Sequence, residues 1–353
     1  MRNVSIATRG RARWLVLVIA VLMAGACSRD PLSLALHDSN ETLIYLLSPA
    51  SPGSCGGLTD AWSEYDANPI IPGGGTDGVD RAYYPTVIKA GSLYHIWYGD
   101  GINTRHAVSA SYDFSDAVFP ADIVTGLVAT GPYHPRVLYN EAGWNIDGSN
   151  YPGPFLMYYT DGNNWTNPPR VAHSADGSSW IDIGACTGVN SYGGNTTVYN
   201  LAVLHEGGSV WKAYADNGLG HIQYYTSNDG LAWTGIAMDI VVPTQPWESP
   251  AWGTIAPYIM KLDGTYLLYY SSGLTGNDKA FGLAISSDGQ TFTKWAGNPI
   301  YSIDDGVPWR DVRTYTTSIV QNGPMWLLYY TGRTNTPVTS YSVGLARKCG
   351  DLY

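Results

Sequence analysis

One sequence pattern returns five times along this chain of 353 residues. Each copy begins with a short apolar segment, usually opened by proline, and continues with alternating aromatic residues, as in Tyr266-Leu267-Leu268-Tyr269-Tyr270. Alternation with a period of two residues is typical of a half-buried β-strand. The apolar segments are Pro85-Thr86-Val87-Ile88, Pro135-Arg136-Val137-Leu138, Leu201-Ala202-Val203-Leu204, Pro257-Tyr258-Ile259-Met260 and Thr317-Ser318-Ile319-Val320.

The spacing of the copies and their turns predict one small sheet per copy. Successive copies begin 50, 66, 56 and 60 residues apart, which leaves room for four strands and variable loops. Three copies carry a Ser-x-Asp-Gly hairpin turn before an aromatic residue, at Ser174–Trp180, Ser227–Trp233 and Ser286–Phe292. Because each sheet needs neighbours to bury both of its faces, the chain predicts an all-β, five-bladed β-propeller of four-stranded antiparallel blades.

The two ends of the chain are expected to close the ring. Trp62–Ile70 precedes the first copy, yet its sequence is similar to Phe292–Ile300, the predicted outer strand of the fourth copy. The last copy stops at Val343–Arg347 without an outer strand of its own. We therefore predict a propeller over residues 58–353 in which the N-terminal strand joins the last blade and leaves no open edge.

Two of the four cysteines fall beside this closure. Cys55 precedes the closing strand, and Cys349 follows the strand with which the closing strand is expected to pair. We expect a Cys55–Cys349 disulfide that locks the ring, with Cys186 left single. Three separate thiols remain the alternative, and a mass shift on reduction distinguishes the two.

The first 26 residues have the order of an export signal. Arginines at positions 2, 9, 11 and 13 precede an apolar run over residues 14–23, which is too short to span a membrane. Ala24-Gly25-Ala26-Cys27 resembles a bacterial lipobox, which implies cleavage before Cys27 and lipid on its sulfur. We expect a signal peptide over 1–26, a tether over 27–57 and an exported protein anchored to the cell envelope at the outer membrane. A secreted protein cut after Ala26 is the alternative, and residues 43–47 can also form a short added strand.

Charge and composition restrict the partners. Without the leader the chain carries 15 basic and 29 acidic residues, which argues against nucleic acid and against membrane contact other than the lipid anchor. There are 27 Tyr and 13 Trp but only 5 Phe, so aromatic rings with polar groups predominate. Tryptophans between the repeat strands suit sugar rings, and we expect a monomer that binds carbohydrate. The tryptophans in question are Trp144, Trp165, Trp247, Trp252 and Trp309.

The five copies, the Ser-x-Asp-Gly hairpins and the Asn-Pro-Ile outer strands resemble the five-bladed propeller superfamily of glycoside hydrolases. That superfamily includes family 43 arabinanases and xylosidases, family 32 invertases and levanases, and family 130 mannoside phosphorylases. The resemblance covers residues 60–347 and implies two catalytic carboxylates on the axial funnel, tuned by a third. The chain departs from the family pattern at all three of these positions, which are occupied by Tyr84, Asn200 and Ile255.

Three other carboxylates lie in the loops that lead into inner strands. We expect Asp80 to act as base or nucleophile, Glu248 as acid, and Asp311 to tune them or hold hydroxyl groups. Solvated loop acids, or acids paired with a neighbouring arginine, are the alternative. Six further residues are predicted to bind substrate because they lie at or beside the starts of inner strands: Tyr84, His134, Asn200, Trp252, Trp309 and Arg313.

Two functions therefore remain open. The first is a glycosidase that hydrolyses O-glycosidic bonds in an extracellular or periplasmic oligosaccharide or polysaccharide. The second is a catalytically silent propeller that binds a glycan or scaffolds a partner, which the loss of the three family acids favours. We expect no cofactor, apart from a possible structural cation on the axis near His134, and no zinc site.

Overall fold

The computed structural model describes residues 35–37, 43–45, 55, 57–73, 81–128, 132–161, 167–189, 198, 200–216, 219–248, 253–272, 279–302, 306–335 and 339–353. The predicted signal peptide, the lipidation site Cys27, the candidate base Asp80 and Trp252 lie outside these residues. The chain divides into two units, residues 1–51 and 52–353. In the first unit, strands β1 (Ala35–His37) and β2 (Leu43–Tyr45) pair in a sheet of their own. Among the described residues there is no helix with the length and apolarity needed to span a bilayer.

Residues 52–353 form five antiparallel blades, which confirms the predicted propeller. In every blade neighbouring strands pair antiparallel, and the five apolar segments of the repeat lie in the inner strands. Blade 1 contains β4 (Tyr83–Ala90), β5 (Leu93–Gly99), β6 (Thr104–Ser109) and β7 (Asp122–Ile123). Blade 2 contains β8 (Pro132–Tyr139), β11 (Phe155–Asp161), β12 (Arg170–Ser174) and β13 (Trp180–Ala185), with β9 (Trp144–Ile146) and β10 (Ser149–Tyr151) as a separate hairpin.

The remaining blades follow the same plan. Blade 3 contains β14 (Leu201–His205), β15 (Trp211–Asp216), β16 (Ile222–Ser227) and β17 (Trp233–Val241). Blade 4 contains β18 (Ile255–Leu262), β19 (Thr265–Ser272), β20 (Ala280–Ser286) and β21 (Thr293–Lys294), and a short β22 (Tyr301–Ser302) also pairs with β20. Blade 5 contains β23 (Arg313–Asn322), β24 (Met325–Thr334), β25 (Ser340–Cys349) and β3 (Ser63–Glu64).

The closure of the ring is as predicted. Strand β3 pairs with β25 as the outer strand of blade 5, with Glu64 opposite Ala346. A disulfide joins Cys55 to Cys349, and Cys186 is a buried free thiol. The first and last segments of the propeller are therefore held together both by strand pairing and by a covalent bond.

Aromatic residues of the second strands connect neighbouring blades. In three blades such a side chain donates a hydrogen bond to the carbonyl of the glycine in the next blade's Ser-x-Asp-Gly turn. The pairs are Trp97 Nε1 to Gly177, Tyr158 OH to Gly230 and Tyr214 OH to Gly289, at 2.8, 2.7 and 2.5 Å. The repeated aromatic segment thus fills the space between blades and also sets their register around the ring.

Candidate functional site

The inner strands begin at one end of the propeller, which we call the upper face. Tyr84, His134, Asn200 and Thr316 gather there around Arg136. The ring centroids of Tyr84 and His134 are 3.6 Å apart, and burial lowers the pKa of His134 to about 3. Three of the predicted substrate-binding residues therefore meet on the axis, but they pack on one another.

Arg136 closes the axis below this layer. Its guanidinium donates to the carbonyls of Thr317 and Pro257 at 2.9 and 3.0 Å, and so ties three inner strands together. The space around it has no room for a water molecule. A structural cation beside His134 does not fit, because a buried guanidinium already occupies the neighbouring position. Among the described residues, no group of three or more His, Cys, Asp or Glu is arranged to hold a metal ion.

Four of the five inner strands, β4, β8, β18 and β23, are bulged near their starts. Tyr84, His134, Ala256 and Thr316 all have φ between +50° and +55°, a conformation that is strained for residues other than glycine. The backbone N–H of Ala256 donates to the carboxylate of Asp216 at 2.9 Å, and Asn200 Nδ2 donates to the same carboxylate at 2.6 Å. Asp216 is thus a buried axial carboxylate that supports the backbone.

Glu248 is not available to a substrate, and the geometry does not fit the predicted role of general acid. Its carboxylate is fully buried and is paired with Lys294 Nζ at 2.5 Å. It also accepts hydrogen bonds from the backbone N–H groups of Thr244 and Gln245 and from the hydroxyl of Tyr270. A general acid must present its proton to a leaving group, whereas the oxygens of Glu248 are already in contact with donors of the protein itself.

Blade 5 repeats this arrangement with the charges reversed. Arg310 follows Trp309 as Glu248 follows Trp247, and Glu64 occupies the outer-strand position that Lys294 has in blade 4. Arg310 NH2 lies 3.5 Å from Glu64 Oε2. The indole of Trp309, predicted to bind substrate, stacks on Tyr330 at 5.9 Å, just as Trp247 stacks on Tyr270 at 6.0 Å. The comparison assigns both ion pairs to blade packing.

Asp311 differs from Glu248 in that no ion pair among the described residues includes its carboxylate. Oxygen Oδ1 is buried and has no hydrogen-bond partner among the described residues, and the residue is half-buried. The next residue, Val312, donates its N–H to the carbonyl of Arg333 at 3.1 Å. Asp311 therefore lies at the upper end of blade 5, beside the start of β23.

A row of residues links Asp311 to the beginning of blade 1. Arg313 pairs with Arg333, Arg333 pairs with Tyr341, and Ala82 donates its N–H to the carbonyl of Tyr341 at 2.9 Å. The guanidinium groups of Arg81 and Arg333 each lie 5.5 Å from the ring centroid of Tyr341. We call Arg81, Arg313, Arg333 and Tyr341 the arginine row.

A cleft of about 270 Å³ opens next to the arginine row. Arg81, Tyr98, Asp100, Arg105 and Phe119 contribute to its lining. Asp100 is buried and accepts Arg105 Nε at 2.6 Å, so this acid and this base neutralise each other. The charge that Arg81 brings to the cleft is not balanced by any ion pair among the described residues.

The solved structures that resemble this chain can now be compared with it. No protein-family profile and no curated protein matches the sequence. A thermostable family-43 glycoside hydrolase aligns with a TM-score of 0.60 and 20% identity over 79% of this chain and 91% of its own. The chain has the propeller fold of these glycoside hydrolases.

Two further structures agree. A putative glycoside hydrolase from Parabacteroides distasonis aligns with a TM-score of 0.62 and 14% identity over 85% of this chain and 99% of its own. An alpha-L-arabinofuranosidase from Lactobacillus brevis aligns with a TM-score of 0.56 and 14% identity over 79% of this chain and 92% of its own. The recognised likeness is therefore one of fold, and the chemistry has to be argued from the residues.

Sequence reasoning missed Arg81, Arg333, Tyr341 and Asp216. Part of the arginine row could have been approached from the sequence. Counting residues outward on both sides of the Asn322-Gly323-Pro324 turn predicts which residues of β23 and β24 lie opposite each other. That count alone places Thr334 opposite Arg313. The bulge between Tyr315 and Thr317 shifts the register by one residue and brings Arg333 there instead.

Proposed function

We propose that this protein acts on carbohydrate as a glycoside hydrolase, with its glycan bound on the upper face where blades 5 and 1 meet. The observation that carries the proposal is the carboxylate of Asp311, which is half-buried, has an oxygen without a hydrogen-bond partner among the described residues, and lies at the upper end of blade 5 in a propeller with the fold of glycoside hydrolases. Glycan hydrolysis needs two such carboxylates. We leave Glu248 out of the proposed pair, because its carboxylate is buried and already contacts Lys294 and two backbone N–H groups.

Asp80 is the natural second carboxylate, since it directly precedes Arg81 in the chain. Residue 82 is linked to residue 312 through Tyr341 and Arg333, and three inter-strand steps of about 4.8 Å place them at most about 14 Å apart. That spacing leaves room for a sugar unit between the two segments. In the proposed reaction Asp311 protonates the glycosidic oxygen, and Asp80 removes a proton from the water that attacks the anomeric carbon.

The test replaces each carboxylate by its neutral isostere. Asp80→Asn and Asp311→Asn should each lower kcat by about 10²–10⁴-fold on the glycan that the parent protein hydrolyses. Asp263→Asn is the matched control, because Asp263 lies exposed in the β18–β19 hairpin, at the lower end of the blade, with φ +48° that Asn tolerates. Equal activity of all three variants contradicts the proposal.

A catalytically silent, glycan-binding propeller is the second candidate. It is favoured by the closed axis, where Tyr84 packs on His134, and by the structural use of Glu248. Binding of glycan without turnover by the parent protein, measured by calorimetry and reducing-end release on the same sample, selects this candidate over the hydrolase.

We also propose that the protein is exported and carries lipid on Cys27. The support is the leader sequence, with its four arginines, apolar run and Ala24-Gly25-Ala26-Cys27 ending. Metabolic labelling with palmitate should mark the parent protein but not Cys27→Ser. Equal labelling of both proteins contradicts the assignment.

A further inference from the structure

The arginine row places two like charges directly opposite each other. Arg313 and Arg333 are register partners on β23 and β24, so their side chains leave the same face of the sheet. Cross-strand pairs of like charge destabilise a sheet. An arrangement of this kind persists more readily where an anion lies close to the charges, and the guanidinium of Arg313 also lies 4.4 Å from the ring centroid of Tyr315.

Arg81 adds a third positive charge from a different blade. Its guanidinium lies over the ring of Tyr341, as does that of Arg333, each at 5.5 Å from the centroid. The Nε atoms of Arg81 and Arg333 are both buried without a hydrogen-bond partner among the described residues. No ion pair in the described part of the chain includes either residue.

The rest of the protein makes this concentration of positive charge unusual. The chain has 19 basic and 29 acidic residues, so its overall field repels anions. Arg105, Arg170 and Arg310 are each paired with a carboxylate, whereas no ion pair among the described residues includes Arg81 or Arg333. The row is therefore a local exception, and it lies beside the cleft and beside Asp311.

We propose that the arginine row binds a sugar carboxylate, so that the glycan taken by this protein is acidic and contains a uronic acid. The guanidinium group is planar and donates two parallel hydrogen bonds, a geometry that matches a carboxylate. Tyr341 supplies an aromatic surface between the cations. The inference rests on the proposed function, since it names the substrate class of the same site, and it is independent of whether hydrolysis follows binding.

The experiment compares charged and neutral forms of the same sugar. Calorimetry uses tetramers of galacturonate, mannuronate and glucuronate, together with their methyl esters, which keep the ring and remove the charge. The parent protein should bind at least one acid tetramer about tenfold more tightly than its ester. That preference should shrink as salt is raised, because the contact is ionic.

Matched variants locate the contact. Arg333→Gln and Arg81→Gln should each weaken binding of the acid tetramer by about tenfold and leave binding of the ester unchanged. Lys89→Gln also removes one positive charge, at the far end of β4, and should change neither the affinity for the acid tetramer nor that for the ester. Arg333→Lys keeps the charge but loses the two parallel donors of the guanidinium, so its affinity for the acid tetramer should lie between those of the parent protein and Arg333→Gln. Thermal melts check that each variant is folded.

The outcomes separate the two proposals. Acid and ester bound equally, or Arg333→Gln indistinguishable from Lys89→Gln, overturns the uronate assignment while a glycan site remains. Binding of the acid tetramer through the row without any turnover supports the assignment and removes the hydrolase. If the protein binds neutral oligosaccharides but none of the acid tetramers, the assignment is wrong and the proposed function stands.

Discussion

At the scale of single residues, the position of a carboxylate within the repeat determines whether its oxygens are already bonded to other side chains. Blades 4 and 5 contain the same arrangement of an ion pair beside a stacked Trp–Tyr pair, with the charges exchanged. Glu248 lies on the loop of blade 4, whereas Glu64 lies on the outer strand of blade 5. Both carboxylates accept hydrogen bonds from side chains of the protein itself, Glu248 from Tyr270 and Glu64 from Tyr330.

Asp311 comes two residues after Trp309 and takes no part in the ion pair between Arg310 and Glu64. Its oxygen Oδ1 therefore has no hydrogen-bond partner among the described residues.

The charge reversal between blades can be tested directly. Glu248→Gln should lower the free energy of unfolding by about 3 kcal/mol, because Lys294 is left as an uncompensated, largely buried charge. The double variant Glu248→Arg with Lys294→Glu copies the Arg310–Glu64 pair of blade 5. It should recover part of that loss relative to either single change, as measured by urea unfolding in a double-mutant cycle. Additive losses would contradict the equivalence of the two blades.

At the scale of elements, the second strands act as connectors between blades. Trp97, Tyr158 and Tyr214 each donate to a turn glycine of the next blade. The equivalent residue of blade 4 is Tyr269, whose hydroxyl is buried without a partner among the described residues. The next blade there has no Ser-x-Asp-Gly turn: the position of the turn serine is taken by Lys348, opposite Trp326, and Cys349 follows it. Blade 5 therefore has a disulfide close to the place where blades 2, 3 and 4 have the Ser-x-Asp-Gly turn.

This difference provides a prediction with an internal control. Tyr158→Phe should destabilise the protein by about 1–2 kcal/mol, because the buried carbonyl of Gly230 loses its donor. Tyr269→Phe removes the same atom from a hydroxyl that makes no described bond, and it should be neutral or slightly stabilising. Chemical denaturation of both variants checks this, and equal losses would show that the connector bond contributes nothing of its own.

The elements also show which features of the fold and of the site could be predicted from the sequence. Strand order, closure and the disulfide follow from aligning the five copies, because each depends on local pattern and on the position within the repeat. The partner of Glu248 did not follow, since Lys294 lies 46 residues away and meets it only after the outer strand folds back. The arginine row was hidden by the bulge at Thr316, a one-residue shift that no alternation pattern reveals.

At the scale of the whole molecule, buried histidines should make stability depend on pH. Burial lowers the pKa of His106 and of His134 to about 3. His106 lies between blades 1 and 2, 3.0 Å from His95 and 2.9 Å from Ser178 of the next blade. In the unfolded chain these groups titrate near pH 6.5, so the unfolded state binds more protons below that pH.

The expected sign is therefore a loss of stability on mild acidification. Above about pH 6.5 both states are neutral at these sites and the free energy of unfolding is flat. From there down to about pH 5, each of the two histidines should remove about 2 kcal/mol. Urea unfolding between pH 7.5 and 5 measures this, and His106→Gln should show a smaller loss over the same range. A stability that does not change across this range would contradict the buried, neutral state.

One measurement tests the central account most directly: a crystal structure of the Asp311→Asn protein soaked with whichever uronate tetramer binds. The account predicts a sugar across the junction of blades 5 and 1, with its carboxylate within hydrogen-bond reach of Arg333 and of Arg81 or Arg313. A sugar bound elsewhere would contradict it, for example against the exposed Trp295 and Tyr353 at the outer edge of blade 4.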